Sequence, residues 1–224
     1  MKFFIDTAKL DHIKEAKDLG ILDGVTTNPS LMAKEGITGR QNIYRHYKTI
    51  CDLVQGGDVS AEVIATDYAG MMKEARDLAE IAENIVVKIP VTKDGIKAIS
   101  ELTSLGIKTN CTLVFSAGQA ILVAKAGATY ISPFIGRIDD INWDGMQLIN
   151  DIFEIYSLQA YETEILAASI RSGLHIVQAA KAGADVVTCP LDAIMSLLRH
   201  PLTDSGLQKF LEDHHKAQEL ASKV

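Results

Sequence analysis

This sequence predicts an α/β fold, a parallel (β/α)8 barrel with one extra C-terminal helix, and three observations support it. The chain has 224 residues, within the range of such barrels, for which ~250 residues is typical and ~200 the lower end. Short, apolar, β-branched runs alternate with longer amphipathic segments, as in successive βα units around a parallel sheet. Several amphipathic segments stop at a glycine just before the next apolar run, where a left-handed C-cap turns a helix into a short loop. No linker, low-complexity tract or charge run divides the chain. Residues 1–224 therefore read as one domain.

The apolar runs are Lys2–Asp6, Gly24–Asn28, Val59–Ile64, Ile85–Pro90, Lys108–Val114, Tyr130–Gly136, Glu164–Ile170 and Val186–Pro190. Glycine endings follow Leu19, Leu105, Ala126 and Ala182, at Gly20, Gly106, Gly127 and Gly183. Helix starts are marked by Thr66-Asp67, before a helix over Ala69–Ala82, and by Thr92-Lys93-Asp94 before the next. Beyond Pro201, Thr203–Val224 reads as a last helix, capped by Thr203 or Asp204, with Leu207, Phe210, Leu211 and Ala217 on one side. It is either a lid or brace on its own barrel or an arm reaching a neighbouring subunit.

Composition excludes several function classes. A net charge of -7 and a pI near 5.4 give no general attraction to nucleic acid or anionic lipid. Any anionic ligand then needs a few placed cations. No stretch approaches the ~20 apolar residues of a membrane span. The start Met1–Asp6 meets a carboxylate too early for a secretory signal and reads as a strand. Cys51, Cys111 and Cys189 are odd in number and widely spaced, which suits a reducing cytoplasm rather than a disulfide framework or zinc knuckle. The six histidines show no metal-ligand spacing, so no metal is expected.

A barrel strand is buried on both faces and should be continuously apolar. Here polar residues interrupt the strands, and side chains two apart share a face. On that basis Asp6, Thr26, Asn28, Glu62, Lys88, Asn110, Thr112, Ser132 and Ser169 fall in phase with one another. Seven strands thus send a polar group inward near the C-terminal strand ends, where this fold places its chemistry. For Thr26 or Ser132 alone, a satisfied polar group at the solvated mouth explains the residue equally well.

Lys88 is different, because Ile85-Val86-Val87-Lys88-Ile89-Pro90 is the most apolar run of the chain. A lysine with the ordinary pKa of ~10.4 offers about one free amine in a thousand at neutral pH. Desolvation is how a lysine becomes a Schiff-base nucleophile. The structural alternative is an ion pair with Glu62 or Asp6, which seldom adds stability when buried. Asp6 and Glu62 bring two carboxylates towards the same cavity, as a retro-aldol reaction needs: one group for the hydroxyl beside the breaking bond, another for the protons of iminium formation.

The segments Asp6-Thr7, Gly24–Ser30, Val86–Thr92, Asn110–Leu113, Ile131–Arg137 and Ala167–Arg171 resemble the motifs of transaldolases. More specifically, the chain is similar to the short group that also contains fructose-6-phosphate aldolases, along its whole length. The resemblance implies a class I aldolase-like TIM barrel with no metal or organic cofactor. Lys88 would attack the ketone of fructose 6-phosphate or sedoheptulose 7-phosphate, with water managed by Glu62 and Thr112. Asp6 would then deprotonate the adjacent hydroxyl, and a dihydroxyacetone unit would pass to erythrose 4-phosphate or glyceraldehyde 3-phosphate, a reaction of the pentose phosphate pathway. Thr26, Asn28, Ser30, Asn110, Ser132 and Phe134 match substrate-binding positions, and Arg137, Ser169 and Arg171 the phosphate site. Similar proteins form homo-oligomers, pentamers or stacked decamers, with the C-terminal helix crossing to a neighbour.

Similar transaldolases carry Glu at position 62 and Phe at 134, where the aldolases carry Gln and Tyr. This chain has Glu62 and Phe134, and a phenylalanine cannot help water protonate an enamine as a tyrosine hydroxyl could. Transfer is therefore favoured over release by a lyase. Ile170 stands where many relatives have Phe, and its side chain should point out of the barrel. Two other readings remain: a phosphate-binding barrel decarboxylase without imine chemistry, and a silent sugar-phosphate binder.

Overall fold

Runs rich in Val and Ile suit strands buried on both faces, and eight of them form strands in this computed structural model, which describes residues 1–222. They are β1 (Lys2–Asp6), β2 (Gly24–Thr26), β3 (Asp58–Glu62), β4 (Ile85–Pro90), β5 (Thr109–Val114), β6 (Tyr130–Pro133), β7 (Glu164–Ala167) and β8 (Val186–Cys189). Neighbours in sequence pair in parallel and β8 pairs with β1, so the sheet closes as a (β/α)8 TIM barrel. The helices around it are α1 (Leu10–Asp18), α2 (Pro29–Lys34), α3 (Arg40–Leu53), α4 (Tyr68–Ala79), α5 (Lys93–Ser104), α6 (Ala117–Lys125), α7 (Ile135–Asp139), α8 (Gly145–Gln159), α9 (Gly173–Lys181), α10 (Leu191–Met195) and α11 (Pro201–Ala221).

Alternation along the strands sorts the core in two. Ile5, Val25, Val59, Val87, Ile89, Cys111, Ile131 and Val187 face the helices in one large cluster, which also takes Ile170. Phe4, Val86, Tyr130, Leu166 and Val186 fill the barrel interior. Beneath them ion pairs Lys2–Glu164 (2.8 Å) and Lys108–Asp58 (2.9 Å) close the N-terminal end, with Tyr130 donating to Asp58 at 2.8 Å.

Helix starts follow their caps. Asp67 accepts from Gly70 N at 2.9 Å to begin α4, and Thr92 from Gly95 N at 3.0 Å to begin α5. Helix α4 ends at Ala79, short of Ala82, because Asn84 is drawn away to donate to the carbonyls of Val54 and Gly57 at 3.1 and 2.9 Å. Several strands are shorter than their apolar runs, and for β2, β6 and β7 the local cause is visible. Asn28 leaves β2 to cap α2, accepting from Leu31 N, α7 starts two residues after β6, and Ser169 beyond β7 has φ 60°.

The last helix differs more. It starts at Pro201, whose fixed φ suits the first helical position, and His200 caps it by accepting from Leu202 N at 3.2 Å; Thr203 and Asp204 lie inside it. None of its residues is buried, and Leu207, Phe210 and Leu211 are exposed. Lys223 and Val224, part of the expected helix, lie outside the described residues.

Gly20 and Gly183 both adopt positive φ, 71° and 90°, but only Gly183 is crowded, with an added Cβ falling 2.4 Å from Phe153 Cδ2. In urea unfolding, Gly20→Ala should cost ~1 kcal/mol for the left-handed backbone. Gly183→Ala should cost a further ~1–3 kcal/mol for overpacking.

Candidate active site

Above the apolar plug, the same alternation that points Phe4 and Val86 inward also sends Asp6 and Lys88 there. Parallel pairing sets Glu62 beside Lys88 and Lys88 beside Asn110, and β1–β2 pairing sets Asp6 beside Thr26. Lys88 Nζ lies 3.1 Å from Glu62 Oε2, with side-chain exposures of 6% and 17%. The ion pair expected as the structural alternative is thus present. It sits where two cavities meet, which a purely structural pair does not require.

One cavity, about 140 Å³, is lined by Asp6, Thr26, Asn28, Lys88, Ser132, Phe134, Arg137, Ser169 and Thr188. The second, about 370 Å³, is lined by Asn28, Ser30, Lys34, Glu62, Lys88, Thr112, Leu113, Phe134 and Arg137. Asp6 and Glu62 therefore reach one amine from different cavities. Sequence reasoning had placed both in the same one.

Asp6 accepts from Thr26 Oγ1 at 2.8 Å, and Thr26 Oγ1 lies 2.5 Å from Thr188 Oγ1. Because the one hydroxyl proton of Thr26 goes to Asp6, Thr188 donates to Thr26. Burial raises the Asp6 pKa above its ordinary value, against the opposing pull of the Lys88 charge and the Thr26 hydrogen bond. A carboxylate displaced upward is a stronger base than one in water.

The amides are oriented before any ligand arrives. Asn28 uses its oxygen to cap α2, accepting from Leu31 N at 3.0 Å, which leaves its NH2 for the cavity. Asn110 donates to Ser60 Oγ at 3.1 Å and accepts from Ser132 Oγ at 2.7 Å. It is fully buried and lines neither cavity, so it forms the floor under Ser132. The Thr112 hydroxyl is buried and has no hydrogen-bond partner among the described residues. Next to it Leu113 has φ 61°, at a register shift between β5 and β6. A left-handed leucine costs ~1–2 kcal/mol, and such strain collects at functional sites.

Of the expected phosphate group, Arg137 and Ser169 line the smaller cavity, and the Arg137 guanidinium lies 5.2 Å from the Phe134 ring centroid. Gly136 N donates to Ser169 O at 3.1 Å and joins the two loops. Arg171 lines neither cavity; it is turned outward onto Asp140 at 2.6 Å. Ser30 is exposed at the rim. Three residues of the site escaped sequence reasoning. Thr188 and Ser60 obey the same alternation that exposed Lys88, in Val187-Thr188-Cys189 and Val59-Ser60-Ala61. Tyr47, whose hydroxyl accepts from Glu62 N at 3.3 Å, reads in sequence as an ordinary helix core residue.

Fold and site together define a barrel enzyme built around a strand lysine flanked by two carboxylates. The family described as Transaldolase/Fructose-6-phosphate aldolase matches residues 3–223. A Cytophaga hutchinsonii protein named "Probable transaldolase" is 66% identical over 96% of this chain and 99% of its own length. A Bacteroides fragilis protein of the same name is 65% identical over 98% of this chain and 100% of its own. Among solved structures, a thiamine phosphate pyrophosphorylase from Pyrococcus furiosus superposes with TM-score 0.61 over 84% of each chain at 15% identity, a likeness of fold alone. The chain belongs to the transaldolase/fructose-6-phosphate aldolase family.

Ionised Asp6 works against folding, since a carboxyl with a raised folded-state pKa gives up stability as pH rises past its unfolded value. Asp6→Asn, which keeps an acceptor for Thr26, should raise the urea midpoint near neutral pH by an amount equivalent to ~1 kcal/mol. The gain should vanish below pH ~4, where the parent carboxyl is protonated in both states.

Proposed function

We propose that this enzyme is a transaldolase of the pentose phosphate pathway. It moves a dihydroxyacetone unit from sedoheptulose 7-phosphate or fructose 6-phosphate to an aldose phosphate, through a Schiff base on Lys88. The observation that supports this most is a lysine side chain 6% exposed, on a strand, with a carboxylate 3.1 Å away and a second in the adjoining cavity.

The chemistry divides between the two cavities. Lys88 gives one proton to Glu62 and adds to the C2 ketone, a second proton passes from its nitrogen to the alkoxide so formed, and Glu62 returns the first to that hydroxyl, which leaves as water held by Thr112. Asp6, fixed by Thr26, takes the proton of the C4 hydroxyl. The C3–C4 bond then breaks and the electron pair flows into the iminium, leaving an enamine. The aldose phosphate departs, an acceptor enters, and the steps reverse. Asn28, Ser30 and Ser132 hold donor hydroxyls, with Asn110 fixing Ser132. Arg137, Ser169 and Arg171 take the phosphate, Arg171 exchanging Asp140 for it. Guanidinium forks suit phosphate oxygens.

Phe134 borders Lys88 in both cavities and has no hydroxyl to help water protonate the enamine. This favours transfer over the aldolase activity that the family also includes. The reading extends to assembly and location. Helix α11 leaves Leu202, Leu207, Phe210, Leu211 and Leu220 exposed, which supports its packing on a neighbouring subunit in a pentamer or decamer. Three free, buried cysteines support a cytoplasmic enzyme.

Borohydride with fructose 6-phosphate should add mass at Lys88, and Lys88→Met should lower kcat by ~10³-fold or more. Sugar turnover should depend on erythrose 4-phosphate; equal product without it identifies a lyase, and no trapped mass rejects the imine. Arg137→Ala should raise KM for fructose 6-phosphate by ~10–100-fold, the value of charged hydrogen bonds. KM for unphosphorylated fructose should stay as it was; a parallel rise in both would remove Arg137 from the phosphate site.

A further inference from the structure

Glu62 is the last residue of β3, and its neighbours do not hold it equally on both sides. Towards β4 it is held: Glu62 pairs with Lys88, and Val63 N donates to Lys88 O at 3.1 Å. Amides alternate along a strand, so the Glu62 N–H faces the β2 side. There β2 has already ended, with Thr26 opposite Ser60. An interior N–H without an acceptor is costly, and the acceptor comes from helix α3. Tyr47, 2% exposed, places its hydroxyl 3.3 Å from Glu62 N.

The position matters because Glu62 borders open space on both sides. Towards Lys88 lies the cavity of about 370 Å³. On the other side lies a cavity of about 400 Å³ between α3, β3 and α4, lined by Tyr44, Tyr47, Glu62, Ile64 and Glu74. With a cavity on each side, packing alone does not fix the end of β3 at Glu62. Burial keeps the Tyr47 phenol protonated, well above its ordinary range, so it acts as a neutral hydroxyl that ties down the backbone of Glu62 while its ring occupies part of that wall.

We propose that Tyr47 is a positioning residue for the reaction: by accepting the Glu62 N–H where β2 has run out, it holds the Glu62 carboxylate on Lys88. The inference rests on the transaldolase reading. A misplacement of ~1 Å at a reacting group can cost ~100-fold in rate, and loss of one hydrogen bond should displace Glu62 by less.

Tyr47→Phe keeps the ring and removes the acceptor. In the full-length protein, with fructose 6-phosphate and erythrose 4-phosphate, it should lower kcat about tenfold and leave KM within about twofold. In a Glu62→Ala background the same substitution should change kcat by less than about twofold, since residues acting through one group are not additive. Equal losses in both backgrounds, or no loss in the parent, overturn the proposal. Hydrogen exchange at the Glu62 amide gives a readout apart from activity: protected in the parent and faster in Tyr47→Phe. An unprotected Glu62 amide in the parent overturns the proposal even if the variant does not fold. Borohydride trapping on the parent separates the two readings. A parent that traps no ketose on Lys88 removes the transaldolase reading and this inference with it, whereas normal trapping beside a silent Tyr47→Phe removes only the inference.

Discussion

The ion pair between Lys88 and Glu62, closed at 3.1 Å inside the barrel, is the constraint around which the mouth is organised. Two desolvated charges are expensive to hold in a protein interior, and their attraction offsets that cost only when geometry and additional hydrogen bonds are good. The barrel supplies the geometry through register, because parallel pairing puts residues 62 and 88 side by side on adjacent strands. The plug of Phe4, Val86, Tyr130, Leu166 and Val186 removes water from below. Moving either residue by one position along its strand would turn its side chain out among the helices, so the pair depends on the register of the whole sheet.

Around the pair, protein groups use up hydrogen-bonding capacity before a ligand can. Asn110 is tied to Ser60 and Ser132, Asn28 to the start of α2, and Asp6 to Thr26 with Thr188 behind it. Each tie fixes a rotamer and decides which atom remains free to face the cavity. Dipoles fixed in this way need no reorganisation when charge develops on a substrate. The cost appears as strain and incomplete pairing: Leu113 and Ser169 in left-handed conformations, and Thr112 with an unpartnered hydroxyl. These features lie at the C-terminal end of β5 and in the loop after β7, while the opposite end of the barrel closes with ion pairs. The strained and unpartnered groups thus gather at the end where this fold places its chemistry.

Much of this was legible in the sequence because two periodicities coincide. A strand buried on both faces makes any polar residue conspicuous, and period-two alternation then assigns it to a face. That was enough to bring Lys88, Glu62, Asp6, Thr26 and Ser132 to one end of one barrel. The same rule applied to Val187-Thr188-Cys189 and Val59-Ser60-Ala61 reaches Thr188 and Ser60, which ordinary hydroxyl chemistry had made inconspicuous. Strand ends were less legible. Where β2 stops is decided by the Asn28 cap, and where β7 stops by the backbone of Ser169, both local events beyond the reach of hydropathy.

What pattern could not reach was any relation between residues that approach each other only across the fold. Tyr47 sits on an amphipathic helix among Ile50 and Cys51, where an aromatic residue is the usual core filler; its hydroxyl matters only because β2 is two residues too short to satisfy Glu62. Arg171 is a similar case. Its motif placed it with Arg137, but Asp140, thirty-one positions earlier in the chain, draws its head group outward. Helix α11 shows the converse limit, since its apolar residues follow the helical period and yet none is buried on its own barrel. Periodicity identifies a face that wants a partner. Only the folded chain shows whether that partner lies within the same molecule.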